Sequence, residues 1–381
     1  MEAPFVFGKL AEGENFINRE KESAYLKLNL TSGINTILIS PRRWGKSSLV
    51  NCVAEQLNTE SPDLRFCFID LFNIRSEEEF YEAFATKLIQ STSSKMDDWL
   101  KNGKKFFSNL IPRFNVGLDP FHDFKITFDW KELKKSQDEI LELPQKISSD
   151  KKIKVVVCID EFQNIAHFDQ SLSFQKKLRS IWQKHQTVAY CLYGSKRHML
   201  AEIFESKSMP FYKFGETVFL NKISDEFWVE YIVKQFNETE KNITPELASR
   251  IAKLMENHPY FVQWFAKNVW QNTIDTCTPE TIKTTLNQLL IQNSLLFQRE
   301  LDNLTNKQIS FLKALADGVT QFSSKETLTT YDLGVQANIA RIKTSLENRE
   351  IIDLWGSKIE FIDPLFRLWF IQIYLGKNST F

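Results

Sequence analysis

Residues 37–50, ILISPRRWGKSSLV, constrain the fold of this chain more than any other stretch of its sequence. An apolar, β-branched run leads into the eight residues from Ser40 to Ser47, and an amphipathic helical pattern follows. A turn from a strand into a helix aims backbone N–H groups and the helix N-terminus at one point, which suits a phosphate group. The stretch therefore predicts a phosphate-binding loop between a buried strand and a helix.

The loop has the spacing of a nucleotide-binding loop, with Ser40 where such loops usually have glycine. Gly45 lets the backbone approach the phosphates, Lys46 supplies positive charge, and the Ser47 hydroxyl can ligate Mg²⁺. We expect Ser40 to be tolerated provided that its φ stays negative. The predicted nucleotide-binding residues of the loop are Ser40, Pro41, Arg42, Arg43, Trp44, Gly45, Lys46, Ser47 and Ser48.

A second motif, VVVCIDE at 155–161, is an apolar strand pattern that ends in two carboxylates. At the carboxyl end of a strand, Asp160 can hold Mg²⁺ together with Ser47, and Glu161 can deprotonate an attacking water. Ser195 ends the next strand pattern and would lie between the two motif strands in the sheet order of glutamate-bearing NTPases. We predict that Ser195 senses the γ-phosphate or positions water, with a plain strand-ending turn as the alternative.

Buried strand patterns alternate with helical patterns up to about residue 223, which predicts a mainly parallel sheet covered on both faces. The predicted fold class is an α/β P-loop NTPase core with a five-stranded, mainly parallel sheet of the ASCE (glutamate-bearing) type, followed by an α-helical lid and a C-terminal winged helix. The predicted domains are 1–223 for the core, 224–303 for the lid and 304–381 for the winged helix. Within the core, 115–130 alternates like a hairpin, and 130–147 is predicted helical up to Pro144.

The bulk composition excludes several classes of protein. Lys and Arg number 48, as do Asp and Glu, so a zero net charge argues against a chain that coats nucleic acid or an anionic membrane. The five cysteines lack metal-binding spacing and read as reduced thiols. Without a signal-peptide pattern or a long apolar run, we expect a cytoplasmic protein that does not interact with membranes.

The motifs occur in an order that resembles the archaeal-type AAA-like ATPases, P-loop proteins related to the STAND NTPases and found in bacteria too. The resemblance covers nearly the whole chain and rests on FINREKE, SPRRWGKSSLV, VVVCIDEFQNI, LYGSKRHML, MPFYKF, HPYFVQ and DPLFRLWF. It implies ATP, rather than GTP, and Mg²⁺ as the ligands. It also implies that Arg19 lies near the adenine pocket and that His258 and Pro259 belong to a lid motif that touches the base.

One departure from the family concerns the arginine that follows a Pro-Leu-Tyr-like element in many relatives. Here Lys213 stands after Pro210-Phe211-Tyr212, and lysine keeps the charge but loses the bidentate fork of arginine. Arg179 and Arg197 are the other candidates to stabilise transition-state charge. Because such an arginine can be worth several orders of magnitude in rate, we expect turnover to be slow or to need a partner.

The last part of the chain predicts a winged helix, with helical patterns at 304–318 and 335–351 and a hairpin pattern at 351–361. Such domains often place their second helix in the DNA major groove. Here that helix has little net positive charge. It carries Arg341, Lys343 and Arg349, but also Glu347 and Glu350. An intramolecular or protein-contact role is therefore preferred over DNA binding.

The leading hypothesis is an Mg²⁺-dependent ATPase with Glu161, Lys46 and Ser195 as its catalytic residues, whose nucleotide state changes the packing of core, lid and winged helix. Two alternatives stay open. One is a slowly hydrolysing switch or scaffold, and the other is a regulator that binds DNA under the control of ATP. A protein partner and a homo-oligomer both remain open.

Overall fold

The computed structural model describes residues 3–11, 13–93, 98–99, 105–107, 110–115 and 124–377. The chain divides into two compact units. The first unit is Glu12–Asn221, and the second unit is Lys222–Phe381 together with Met1–Ala11. The break after Asn221 lies close to the predicted core boundary, but the first residues of the chain belong to the second unit. A further boundary at residue 303 stays a prediction.

The first unit is built on a five-stranded parallel sheet and a separate two-stranded hairpin. Their strands are β1 (Thr36–Ile39), β2 (Leu64–Asp70), β3 (Arg113–Asn115), β4 (Lys125–Thr127), β5 (Lys154–Asp160), β6 (Val188–Gly194) and β7 (Glu216–Phe219). The parallel sheet has the order β2-β5-β6-β1-β7, and the hairpin pairs β3 with β4. The order places β6 between β1 and β5. In parallel strands the carboxyl ends share one edge, so the loops after these three strands meet there.

Helices cover both faces of this sheet because its central strands are apolar on both sides. They are α1 (Glu20–Thr31), α2 (Lys46–Glu60), α3 (Glu77–Ser91), α4 (Trp130–Leu133), α5 (Gln137–Leu141), α6 (Leu143–Lys151), α7 (Ser171–Trp182) and α8 (Arg197–Glu205). Alternate strand residues enter two separate cores. Leu38 packs with α1 and α2, whereas Ile37 and Ile39 pack on the face that holds α3 and α7.

In the first unit, one local prediction is wrong, and two others fall partly outside the described residues. The helix predicted to end at Pro144 is instead three short helices, and Pro144 lies in the first turn of α6, where its missing N–H has no intrahelical role. The hairpin predicted over 115–130 contains β4 paired with β3, but residues 116–123 lie outside the described residues. Of the basic cluster at 101–105, Lys105 alone is described, and it pairs with Asp150 at 2.7 Å.

The second unit is mainly helical and ends in a hairpin. Its elements are α9 (Asp225–Asn237), α10 (Pro245–Leu254), α11 (Pro259–Asn272), α12 (Pro279–Asp302), α13 (Asn306–Ala316), α14 (Lys325–Thr330), α15 (Gln336–Asn348), β8 (Ile352–Trp355), β9 (Lys358–Phe361) and α16 (Pro364–Trp369). The run of α13, α14 and α15 before the antiparallel β8–β9 hairpin is the element order of a winged helix. Within the described ranges, no helix combines the length and the apolar character needed to cross a membrane.

The N-terminal segment 3–11 packs within the second unit through aromatic contacts. Phe5 is buried and meets Tyr231 and Phe236 edge to face, with ring centroids 5.8 and 6.0 Å apart. The Val6 amide donates a hydrogen bond of 3.0 Å to Oε1 of Gln263 in α11. These contacts explain why the first residues join the second unit rather than the sheet.

Candidate functional site

The loop between β1 and α2 has the backbone geometry of an anion-binding nest. Arg43 and Gly45 have left-handed φ values of +64° and +85°, and Trp44 between them does not. Alternation of this kind turns successive N–H groups toward one side. A non-glycine residue with positive φ costs on the order of 1 kcal/mol, and such strain concentrates at ligand-binding loops. The first turn of α2 carries no acidic side chain and no side chain caps its N-terminus, so this end of the helix also favours an anion.

Ser40 fits the loop without strain. It is fully buried and does not have a positive φ, which meets the condition under which serine can replace glycine here. Its hydroxyl donates to the carbonyl of Pro41 at 3.2 Å. Its own carbonyl accepts from Lys46, so this residue supports the loop through backbone and hydroxyl alike.

Lys46 is buried, and its ammonium is held by the loop itself. Nζ donates to the carbonyls of Pro41 at 2.9 Å and Ser40 at 3.2 Å. Burial lowers the pKa of Lys46 to about 8, against an opposing effect from the carboxylates of Glu161 and Asp160. The two carbonyls accept two of its three N–H donors but do not neutralise the charge, so an entering phosphate would stabilise the protonated form.

Ser47 and Asp160 join the two motifs directly. The Ser47 hydroxyl donates to Oδ2 of Asp160 at 2.8 Å, while Oδ1 accepts from the amide of Glu161 at 2.8 Å. Burial raises the pKa of Asp160, and the bond from Ser47 opposes that rise. A hydroxyl and a carboxylate side by side are hard oxygen ligands, which fits Mg²⁺.

A magnesium ion at this point would rely on oxygen atoms beyond the protein. No cluster of three or more His, Cys, Asp or Glu side chains that could hold a metal ion occurs among the residues described. Mg²⁺ commonly binds through one or two protein ligands plus substrate phosphates and water. The two oxygen ligands from Ser47 and Asp160 therefore match the number and type that a protein usually supplies to Mg²⁺.

Glu161 follows β5 in a left-handed conformation, with φ of +50°. Its Oε2 atom accepts from the hydroxyl of Ser195 at 2.9 Å and from the Ser195 amide at 3.3 Å. Because β6 lies between β1 and β5, Ser195 follows a strand that lies between the two motif strands, as in the sheet order on which the prediction depended. Its predicted role toward a γ-phosphate stays a prediction.

Arg19 stabilises the loop through a hydrogen bond to its backbone. The side chain is buried, and its guanidinium donates to the carbonyls of Trp44 at 3.3 Å and Asn221 at 2.8 Å. It also pairs with Glu22 at 2.9 Å. Burial lowers the pKa of Arg19 and the carboxylate of Glu22 opposes that effect. These contacts show a structural role, and a contact with adenine stays a prediction.

His258 and Pro259 belong to the second unit, at the start of α11. The Nδ1 atom of His258 accepts from the amide of Tyr260 at 3.2 Å, and the ring meets Phe261 edge to face at 4.8 Å. Pro259 occupies the first turn, where proline is favoured. The structure thus explains both residues as a helix start, and their predicted contact with a base stays a prediction.

The three candidate cations have different surroundings. The guanidinium of Arg197 lies 5.7 Å from the ring centre of Trp44 in the loop, and its charge contributes to the lowered pKa of Lys46. Arg179 instead packs on the ring of Phe214 at 4.8 Å. Lys213 has a φ of +51°, and its Nζ lies over the ring of neighbouring Tyr212. Arg197 is therefore the candidate favoured by contact with the loop.

Two residues of the site were missed by sequence reasoning. Gln163 is buried and donates from Nε2 to Oε2 of Glu161. Gly194 ends β6, and a Cβ atom built there would lie 1.9 Å from Oε1 of Gln163. A glycine at the end of a buried strand signals a close approach, but the partner at this position is visible only in the folded chain.

Comparisons with known proteins agree with this geometry at the level of fold. No protein-family model and no curated protein matches the chain. Among solved structures, the Walker-type ATPase PABY2304 of Pyrococcus abyssi superposes with a TM-score of 0.66 and 18% identity, over 96% of this chain and 99% of that chain. The ADP form of the ORC2 protein of Aeropyrum pernix gives 0.51 and 13%, over 99% and 100%. The chain therefore shares its fold with these two structures, which agrees with the fold class predicted from the sequence.

Proposed function

We propose that this protein binds ATP with Mg²⁺ and hydrolyses it to ADP and phosphate. The observation that carries the proposal is the 2.8 Å bond between the Ser47 hydroxyl and Asp160, which joins a nest-shaped loop to the carboxylate strand at one edge of the sheet. An uncapped helix start, a buried lysine and a hydroxyl–carboxylate pair are the groups that a magnesium triphosphate requires. The fold of the similar structures supports the same reaction class.

Each residue then has one task in the proposed reaction. Lys46 exchanges its two carbonyl acceptors for oxygens of the β- and γ-phosphates. Ser47 and Asp160 would hold Mg²⁺, which when bound neutralises phosphate charge. Glu161 accepts the proton of the attacking water, and Ser195 orients that carboxylate.

Arg197 is the residue that we assign to the developing negative charge. It begins α8, two positions after Ser195, and it contacts Trp44 in the loop. Arginine supplied by the same chain can stabilise a transferring phosphoryl group. Loss of Arg197 would then reduce the rate while leaving ATP bound.

A second candidate is a nucleotide-loaded switch that hardly hydrolyses. The observation that favours it is Lys213, which replaces the family's arginine and rests on the adjacent ring of Tyr212. In that case the bound nucleotide, rather than its turnover, would set the state of the protein.

We further propose that nucleotide binding is coupled to the lid and winged helix through consecutive residues. Arg19 ties the Trp44 carbonyl of the loop to Asn221, the last residue of the first unit. The next residue, Lys222, bonds to Glu256 and Glu360, each at 3.3 Å, within the second unit. A change in the loop would reach the β8–β9 hairpin along this chain of contacts.

Nucleotide binding is tested by isothermal titration calorimetry of ATP into wild type and Lys46→Met, each with Mg²⁺ and with EDTA. We expect wild type to bind ATP and Lys46→Met to bind it at least 10-fold more weakly. The variant loses the buried positive charge of the loop, whereas Arg42 and Arg43 are exposed. Lys152→Met, which changes a lysine after α6, is the matched control and should bind like wild type. Equal affinity in wild type and Lys46→Met would contradict the proposal.

A further inference from the structure

Gln163 is a buried polar side chain that the proposed reaction does not yet use. It is 1% exposed, and its Nε2 donates to Oε2 of Glu161. Its Oε1 is buried with no hydrogen-bond partner among the described residues. An unsatisfied buried acceptor loses its hydration without gaining a partner, so the position of this amide is unfavourable by itself. Its one hydrogen bond, to Glu161, is what the chain gains.

Two local features leave room for the contact between Gln163 and Glu161. Glu161 is left-handed, with φ of +50°, which is an uncommon conformation for a residue with a side chain. Gly194 has no Cβ, and one built there would lie 1.9 Å from Oε1 of Gln163 and 3.3 Å from Cα of Glu161. The turn after β5 and the end of β6 are thus both shaped around the pair.

The hydrogen bonds to Glu161 are all on one side of its carboxylate. Oε2 accepts from Gln163 Nε2, from the Ser195 hydroxyl and from the Ser195 amide. Within the described part of the chain, no donor bonds to Oε1. Three donors on one oxygen restrict the rotamer of this carboxylate and leave its other oxygen available to accept a proton.

We infer that Gln163 is a positioning residue, which holds Oε2 of Glu161 so that Oε1 takes the proton of the attacking water. This inference rests on the proposed ATP hydrolysis. In that step the water oxygen bonds to the γ-phosphorus as the bond to the bridging oxygen breaks. The electron pair stays on the ADP oxygen, and one water proton passes to Oε1.

The kinetic test compares Gln163→Met with Gln175→Met. Methionine keeps the length of glutamine but cannot donate a hydrogen bond. Gln175 is the matched control because it is also 1% exposed and also has a buried Oε1 without a partner, yet it donates to Ser171 and not to Glu161. We expect Gln163→Met to lower kcat about 10- to 100-fold at unchanged KM, since small displacements of a catalytic group have effects of this size.

Dividing turnover by the number of sites that bind ATP separates positioning from a loss of folded protein. In Gln163→Met the turnover per ATP-binding site should fall while KM stays at the wild-type value. In Gln175→Met both quantities should stay at their wild-type values. An unchanged turnover per ATP-binding site in Gln163→Met would overturn the inference.

A crystal structure of nucleotide-free Gln163→Met tests the inference without relying on turnover. We expect the Glu161 carboxylate to leave Ser195 or to occupy several rotamers. Gly194→Ala should have the same effect from the other side, because its new methyl group would displace Gln163. A carboxylate that keeps both bonds to Ser195 in Gln163→Met would overturn the role of Gln163, whereas wild type without turnover would instead overturn the proposed function.

Discussion

Lys46 shows how one buried side chain can prepare the loop for a polyanion. Its ammonium is enclosed by the loop carbonyls of Ser40 and Pro41, and burial lowers its pKa to about 8. A cation held in this way is poorly stabilised until a negative ligand arrives. Under the proposed function, this residue links nucleotide affinity to pH.

The first prediction follows from the direction of this shift. A bound triphosphate favours the charged lysine and raises its pKa, so above about pH 8 the protein must take up a proton when ATP binds. Below pH 8 the lysine is already charged and no proton is needed. We expect ATP affinity to fall as pH rises above 8, by up to about 10-fold per pH unit.

Calorimetry in two buffers with different ionisation enthalpies measures this uptake directly. At pH 8.5 the apparent binding enthalpy should differ between the buffers, and at pH 7 the contribution of Lys46 to that difference should vanish. Lys46→Arg keeps a charge that does not titrate in this range and is the matched control. Identical proton uptake in wild type and Lys46→Arg at pH 8.5 would contradict the account.

In the nucleotide-free protein, the effect of pH on stability has the opposite sign to its effect on ATP affinity. Because the folded pKa of Lys46 lies below the ordinary value of 10.5, the unfolded chain binds this proton more tightly. The unfolding free energy contributed by Lys46 should therefore rise with pH between about 8 and 10.5. Below pH 8 the penalty of burying the charge is present in full.

At the residue scale, the sequence predicted the groups that follow fixed spacing. Lys46, Ser47 and Asp160 lie together because a loop motif and a carboxylate strand come with their own local geometry. The contact between Gln163 and Glu161 could not be predicted from the sequence, because it depends on how closely β6 approaches the turn after β5. Gly194 at the end of a strand signals a close approach, but residue type alone does not identify the group that approaches.

At the scale of elements, Asn35 joins the starts of three strands. Its Oδ1 accepts from the amide of Tyr190 in β6 at 3.0 Å, and its Nδ2 donates to the carbonyl of Phe214 at 3.2 Å. Its own carbonyl accepts from the amide of Glu216 in β7 at 2.9 Å. Asn35 thereby holds the register of the strand that leads to the loop.

We predict that Asn35→Ala lowers the free energy of unfolding by about 1–3 kcal/mol, because two backbone groups near the sheet lose their partners. Urea unfolding followed by circular dichroism measures the change. Asn58→Ala, at an exposed position in α2, is the control and should stay within about 0.5 kcal/mol of wild type. A change in Asn35→Ala no larger than in this control would argue against the role of Asn35.

Element types were predicted better than element boundaries. The strands were evident because apolar runs bounded by turn residues are a local signal. The helix predicted up to Pro144 was wrong, since proline is accepted in the first turn of α6 and does not have to end a helix. Only the place of β6 between β1 and β5 was expected, from the sheet order common to glutamate-bearing NTPases. The rest of the order β2-β5-β6-β1-β7 was not predicted, because crossover connections do not fix which strands become neighbours.

At the scale of the whole molecule, the proposed coupling runs through Asn221 and Lys222. Lys222 pairs with Glu256, after α10, and with Glu360 in β9, and Arg367 reaches Glu256 at 3.5 Å. These partly buried pairs form a network rather than isolated surface bridges, so we expect them to make a measurable contribution to the stability of the second unit. The network connects the end of α10, strand β9 and helix α16 within the second unit.

We predict that ATP changes hydrogen–deuterium exchange in the β8–β9 hairpin of wild type and that Lys222→Met abolishes this response while ATP still binds. Lys234→Met, which removes an exposed pair with Glu238 in the same unit, is the control and should respond like wild type. The expected loss has a simple cause, because Lys222 supplies the bonds to both Glu256 and Glu360. A hairpin response that persists in Lys222→Met would refute this route.

The central claim is that Glu161 acts as the base of an ATPase, and turnover by wild type and Glu161→Gln tests it most directly. Both proteins are assayed with Mg-ATP, and the nucleotide that stays bound is identified in each. The account predicts hydrolysis by wild type, a loss of at least 100-fold in Glu161→Gln, and ATP retained by the variant. Equal turnover in both proteins, or no ATP bound to either, would contradict it.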